Sequence, residues 1–162
     1  MRHRLFSSLL VTIAALVIAT PAMTQTQDPW VGTWKLNLAK SMYEPANLAP
    51  NSQTIIQAAV PGGGSKITTD GADAQGKATH TETQTMFDGK SSMIAGASDA
   101  NTTRVYKRID GRTYEYVQSV AGQVTTTVRT VVAADGKTRT ITTAGKDAQG
   151  RTIHNVALYD RQ

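Results

Sequence analysis

The 162-residue sequence contains no cysteine. No disulfide can form, so packing alone must hold the fold. The same absence removes a thiol nucleophile, and it removes the cysteine that bacterial lipid attachment requires after a leader. A soluble mature protein without a stable membrane anchor is therefore expected. Basic and acidic residues are interspersed, with no cluster of lysine and arginine and no basic stripe broken by aromatics. This argues against a nucleic-acid partner, which needs a concentrated basic face. No Gly-x-Ser-x-Gly elbow and no GxxxxGK[ST] phosphate loop is present. The glycine-rich "PGGGS" reads as a hairpin loop. The carboxylates are scattered, with no pair spaced for acid–base work.

The first residues carry a different signal. Arg2 and Arg4 precede a mostly apolar run from Leu5 to Ile18, and Pro21 and small residues follow. That is the layout of a secretory signal peptide, and the run is shorter than the ~20 residues a spanning helix needs. Cleavage is expected after Ala22 or after Thr24. Residues 1–22 are then the leader, and 23–162 form one domain, exported to the periplasm or secreted. The formal charge of +5 falls to about +3 when Arg2 and Arg4 leave, a mild excess suited to a solvated exterior.

Threonine, valine, isoleucine and tyrosine dominate from Gln53 onward, and these favour strands. Turn signals recur about every ten residues: Asp88-Gly89, Asp110-Gly111 and Asp135-Gly136 suit tight hairpins. A phrase is also written twice, "TTDGADAQGKATH" over 68–80 and "TTAGKDAQGRTIH" over 142–154. In "DAQG" the aspartate takes the first position of a type I turn and the glycine the fourth. A glycine in the left-handed region then completes a bulged hairpin. The repeat predicts one meander used twice, with Ile67-Thr68-Thr69 equivalent to Ile141-Thr142-Thr143. It lacks the alternating acidic ligands of a calcium loop.

In "WVGTWKLNL", Trp30, Gly32, Trp34, Leu36 and Leu38 alternate with polar residues, as on a half-buried strand. "AKSMYEPANLAPNS" follows, a long polar stretch with two prolines that cannot lie inside a sheet. It is either a lid or binding loop or a spacer crossing one end of a barrel. Along "QVTTTVRTVV", Val124, Thr126, Val128, Thr130 and Val132 share one face. A two-residue turn at Asp110-Gly111 would set Val105 opposite Tyr116 and Tyr106 opposite Glu115, and neither face of that hairpin is plainly apolar. The whole reads as an all-β fold, an antiparallel up-and-down barrel of about eight to ten strands. Closure removes the free edges of the sheet.

"GTWKLNLAKS" resembles the start of lipocalin-like (calycin) barrels, where Gly-x-Trp on the first strand closes one end. Here those residues are Gly32 and Trp34. The resemblance implies that a basic residue of the last strand lies against the tryptophan. Arg161 in "ALYDRQ" is placed to do so, with Arg151 as the alternative. The mature chain is also similar to a group of small exported bacterial proteins that open with GTWKLN-x-AKS and end near a Tyr-Asp-basic motif.

Function is less legible. His80 and His154 are the only histidines of the mature chain. With Glu82 they have the composition of an open metal site, but both follow exposed turns and read as solvated, so no metal and no cofactor is expected. Three functions are compatible with the residues. The favoured one is a barrel binding a small apolar or amphipathic molecule, with Trp34, Tyr114 and Tyr116 as wall residues by type. The second is a structural or protein-interaction barrel filled by its own side chains. The third is an enzyme, with the histidines as its seed.

Overall fold

Alternation of β-branched residues with polar ones shapes almost the whole chain. The computed structural model describes residues 28–147 and 149–162; the expected leader lies outside them. Among the described residues there are eleven strands: β1 (Gly32–Leu36), β2 (Met42–Glu44), β3 (Ser52–Val60), β4 (Gly64–Ala72), β5 (Ala78–Thr85), β6 (Asp88–Met93), β7 (Thr102–Arg108), β8 (Thr113–Val120), β9 (Gln123–Val132), β10 (Thr138–Lys146) and β11 (Thr152–Arg161). Their order across the sheet is β5-β4-β3-β1-β11-β10-β9-β8-β7-β6, with the short β2 pairing with β11 off this path. All pairs are antiparallel. The first and last strands pair, so the sheet curls round on itself. Its two ends, β5 and β6, meet through the Glu82–Ala95 bridge, with a 2.9 Å hydrogen bond in each direction. The result is a nearly closed up-and-down barrel with one weak seam.

The duplicated phrase forms two copies of one turn. Gly76 N–H donates to Asp73 O at 3.0 Å, and Gly150 N–H donates to Asp147 O at 3.0 Å. Both glycines are left-handed, at φ 82° and 76°. Each aspartate side chain accepts backbone N–H groups two and four residues on, at 2.9–3.0 Å. The β3-β4-β5 and β9-β10-β11 meanders turn alike because these aspartates order the same local hydrogen bonds.

The Asp-Gly pairs behave differently from the two-residue hairpins expected of them. The loop after β7 spans four residues, with Ile109 and Asp110 N–H both donating to Thr113 O. Asp110 Oδ1 accepts from Arg112 N–H at 2.7 Å, an Asx turn that lengthens the connection. Tyr106 therefore faces Tyr116, Arg104 faces Gln118 and Val105 faces Val117. The pairing is one residue away from the expected Val105–Tyr116 and Tyr106–Glu115. At Asp88-Gly89 no hairpin forms, because β6 pairs with β7 and the register shifts between Asp88 and Ser91. At Asp135-Gly136 the turn runs from Ala133, whose oxygen accepts from Gly136 N–H at 2.9 Å.

Two alternations end earlier than the sequence suggests. Leu38 leaves the strand for a 3-10 turn (Leu38–Lys40) and is exposed. Val124 is 67% exposed, because the β8–β9 register shifts at Gln118–Ser119. Thr126, Val128, Thr130 and Val132 do share the buried face.

Candidate functional site

The two ends of the barrel are built differently. At one end Trp30 and Trp34 are fully buried, and Trp34 Nε1 donates to Trp30 O at 2.9 Å. Tyr114 meets Trp30 edge-on at 5.4 Å, and Phe87 packs on both. Arg161 from β11 covers this layer, with its guanidinium carbon 4.2 Å from the Trp34 ring centroid. It donates to Gly136 O at 2.6 Å, to Val31 O at 2.7 Å and to Pro29 O. Gly32 has φ 138°, and a Cβ there would stand 2.6 Å from Arg161 Nη1. Only glycine lets the guanidinium reach the two N-terminal carbonyls. Arg151 instead sits at the opposite, repeated turn, bonded to Asp147.

Above this floor lies a polar layer that the sequence did not announce. Arg139 on β10 is fully buried. Its guanidinium carbon is 4.9 Å from the Trp34 centroid and 5.7 Å from that of Tyr159. Nη1 donates to Gln57 Oε1 at 3.0 Å, and Gln57 Nε2 donates to Ser65 Oγ at 3.1 Å. Arg139 Nε and Nη2 have no partner, and no carboxylate among the described residues pairs with it. Burial lowers its pKa from the ordinary guanidinium value. The charge is tolerated through ring contacts and one amide oxygen.

The other half of the interior is open. A cavity of about 410 Å³ extends toward the β4–β5 turn. Ile55, Ile141, Ala157, Tyr116, Tyr159 and Arg104 form its inner wall. Tyr43, Leu48 and Pro50, from the long proline-containing connection, line it at the mouth. That connection makes β2 and a second 3-10 turn (Ala46–Leu48) and lies against the end of the barrel. Arg104 Nε donates to Gln118 Oε1 at 2.9 Å, and the guanidinium carbon is 4.6 Å from the Tyr116 centroid. Burial raises the hydroxyl pKa values of Tyr106, Tyr116 and Tyr159 above the ordinary phenol value. All three are neutral hydroxyls at physiological pH.

Of the aromatic residues singled out by type, Tyr116 lines the cavity, whereas Trp34 and Tyr114 belong to the floor cluster. Arg104 and Arg139 escaped notice. Arg139 shares the strand face of Ile141, so an inward isoleucine two residues on was the available signal. Arg104 was hidden by the hairpin register. His80 faces solvent, 2.6 Å from Asp70 Oδ1, and His154 is exposed on β11 opposite Ala144 and Glu44. Among the described residues no three His, Cys, Asp or Glu are grouped to hold a metal.

Proteins of known structure share this fold. The crystal structure of the wild-type fluorescent protein UnaG superposes with a TM-score of 0.55 at 16% identity, covering 82% of this chain and 97% of that one. Two single-residue variants of UnaG give TM-scores of 0.57 and 0.56 at 17% and 18% identity, each covering 83% of this chain and 96% of the other. No protein-family model matches the chain, and no curated protein matches it by sequence. At these identities the likeness is one of fold.

Proposed function

We propose that this protein is an exported barrel that binds a small amphipathic molecule in its upper cavity. The observation that carries this reading is the division of the interior. One half is filled by the Trp30–Trp34–Tyr114 cluster, while the other keeps about 410 Å³ between apolar and polar walls. A barrel serving only as a packed scaffold has no use for that space, since empty volume in a core costs stability. Ile55, Ile141 and Ala157 offer an apolar lining, and Tyr116, Tyr159 and Arg104 offer polar contacts. This mixture suits a ligand with an apolar body and a polar group. Tyr43, Leu48 and Pro50 at the mouth would shield it from water. Export rests on the leader at residues 1–22, and the resemblance to small exported bacterial barrels supports it.

Native mass spectrometry of protein purified from its own exported compartment tests both parts. The expected result is a chain beginning at Met23 or Gln25, carrying a discrete extra mass that denaturation removes. Ala157→Trp, which fills the cavity from β11, should lose that mass. A bare wild-type mass, together with no uptake of apolar fluorescent probes, would transfer the reading to a protein-interaction barrel.

A further inference from the structure

Arg104 stands where two cavities meet. A second space of about 490 Å³ lies toward the β6–β7 connection and the β10–β11 turn, with Ile94, Ala97, Val120, Gln118 and Asp147 in its wall. Thr81 and Arg104 line both this space and the first. The two are neighbouring chambers, and the Arg104 side chain forms part of the boundary. Thr81 adjoins Glu82, whose bridge to Ala95 is the barrel's weak seam.

The charges around this boundary are unbalanced. Arg104 bonds to the Gln118 amide oxygen and, at 3.5 Å, to Tyr106 Oη. No carboxylate among the described residues pairs with it. The three acids in the chamber walls are committed to their turns, Asp99 accepting from Asn101 N–H at 2.8 Å. Asp147 is held by Arg151 at 2.6 Å and by two backbone N–H groups. Asp73 accepts from the backbone of Gln75 and Lys77. Deeper in, Arg139 adds a second cation, also without an acid and with Nε and Nη2 unbonded. Arg104 and Arg139 are thus two guanidiniums without a carboxylate partner, less screened than surface charges, which favours an anion at Arg104, the one that lines the cavities.

We propose that the ligand is an acidic amphipathic molecule whose anionic group seats on Arg104, with apolar parts reaching into both chambers. This rests on the binding reading above and names the chemistry the site selects. The anion completes the Arg104 hydrogen-bond set and is drawn inward by Arg139. Ile55, Ile141 and Ala157 on one side, and Ile94, Ala97 and Val120 on the other, take the apolar parts.

The test compares two fluorescent probes of nearly the same ring system, anilinonaphthalene sulfonate and uncharged N-phenylnaphthylamine, titrated into the purified protein. Wild type is expected to bind both and to prefer the sulfonate. Arg104→Met should weaken the sulfonate by roughly 10- to 100-fold, the worth of a charge-assisted hydrogen-bond pair. Binding of the neutral amine should stay unchanged, which also shows that the cavity is intact. Arg104→Lys should recover part of the preference, and Arg129→Met, on the outer face and paired with Glu115, should leave it untouched. Ala97→Trp should weaken the sulfonate by filling the second chamber. Equal binding of the two probes by wild type, or a preference that survives Arg104→Met, overturns the anionic assignment and leaves small-molecule binding standing. Unchanged sulfonate binding in Ala97→Trp overturns the two-chamber seat. Binding of neither probe overturns both this inference and the function it rests on.

Discussion

Arg161 and Trp34 lie at opposite ends of the sequence and touch, guanidinium carbon to ring centroid, at 4.2 Å. The contact joins β1 to β11, the pair that links the β5-β4-β3-β1 half of the sheet to the half running from β11 to β6. Removing the ring should therefore open the floor. Trp34→Ala is expected to cost about 3–5 kcal/mol, read as a lower midpoint in chemical denaturation. Arg161→Lys should also destabilise, because an ammonium cannot reach three divergent carbonyls while lying flat on the indole. An unchanged midpoint in either variant would show that this end closes by other contacts.

Gly32 separates steric from conformational effects. Gly32→Ala places a Cβ 2.6 Å from Arg161 Nη1 at φ 138°, and a loss of about 2–3 kcal/mol is expected. Gly63, at φ 88°, has no atom within 4 Å of an added Cβ. Gly63→Ala should cost only the backbone strain, about 1 kcal/mol. Equal losses would remove the guanidinium contact as the reason for glycine at position 32.

The hairpin register predicts which residues tolerate polarity. Tyr106 is 1% exposed and its neighbour Val105 is 40% exposed. Val105→Lys should change stability by less than about 0.5 kcal/mol, whereas Tyr106→Ala should cost about 3–5 kcal/mol. The opposite order, measured by urea denaturation, would restore the two-residue turn.

Acid should loosen the turns. The Arg112 backbone N–H holds the Asp110 carboxyl below its ordinary value of 3.8. A depressed folded-state pKa gives stability that is present above the unfolded value and is lost as pH falls through the folded one. The thermal midpoint is thus expected to be insensitive to this group above about pH 5, and to drop at lower pH. Asp110→Asn keeps the Asx geometry without the charge, so its acid-side drop should be shallower. Identical pH profiles would exclude this carboxylate as a contributor.

Arg139 gives a test of function against stability. Replacing a buried, unpaired cation by an apolar side chain of similar length is often neutral or stabilising. Arg139→Met is expected to hold or raise the denaturation midpoint of the ligand-free protein. A loss above about 2 kcal/mol would identify the Gln57 hydrogen bond and ring contacts as structural necessities.

Local chemistry determined much of this protein from its sequence alone. Threonine-rich alternation specifies strands. The aspartate and glycine of "DAQG" specify a bulged turn twice, because their hydrogen bonds close within five residues. Gly32 and Trp34 mark the floor strand, and Arg161 is its partner. Asp110-Gly111 shows where local reading stops. The dipeptide fits both a two-residue and a four-residue connection, and side chains alternate with a period of two, so one residue of difference exchanges the faces of β7 and β8. Only the tertiary structure decided that Arg104 and Tyr106 point inward. Arg139 was likewise ambiguous on its own strand, since a charged residue is ordinarily placed outside, and its burial depends on Trp34, Tyr159 and Gln57 from three other strands. The cavity is further still from the sequence. It is the volume left between walls whose spacing is set by barrel closure, and no short segment encodes a volume.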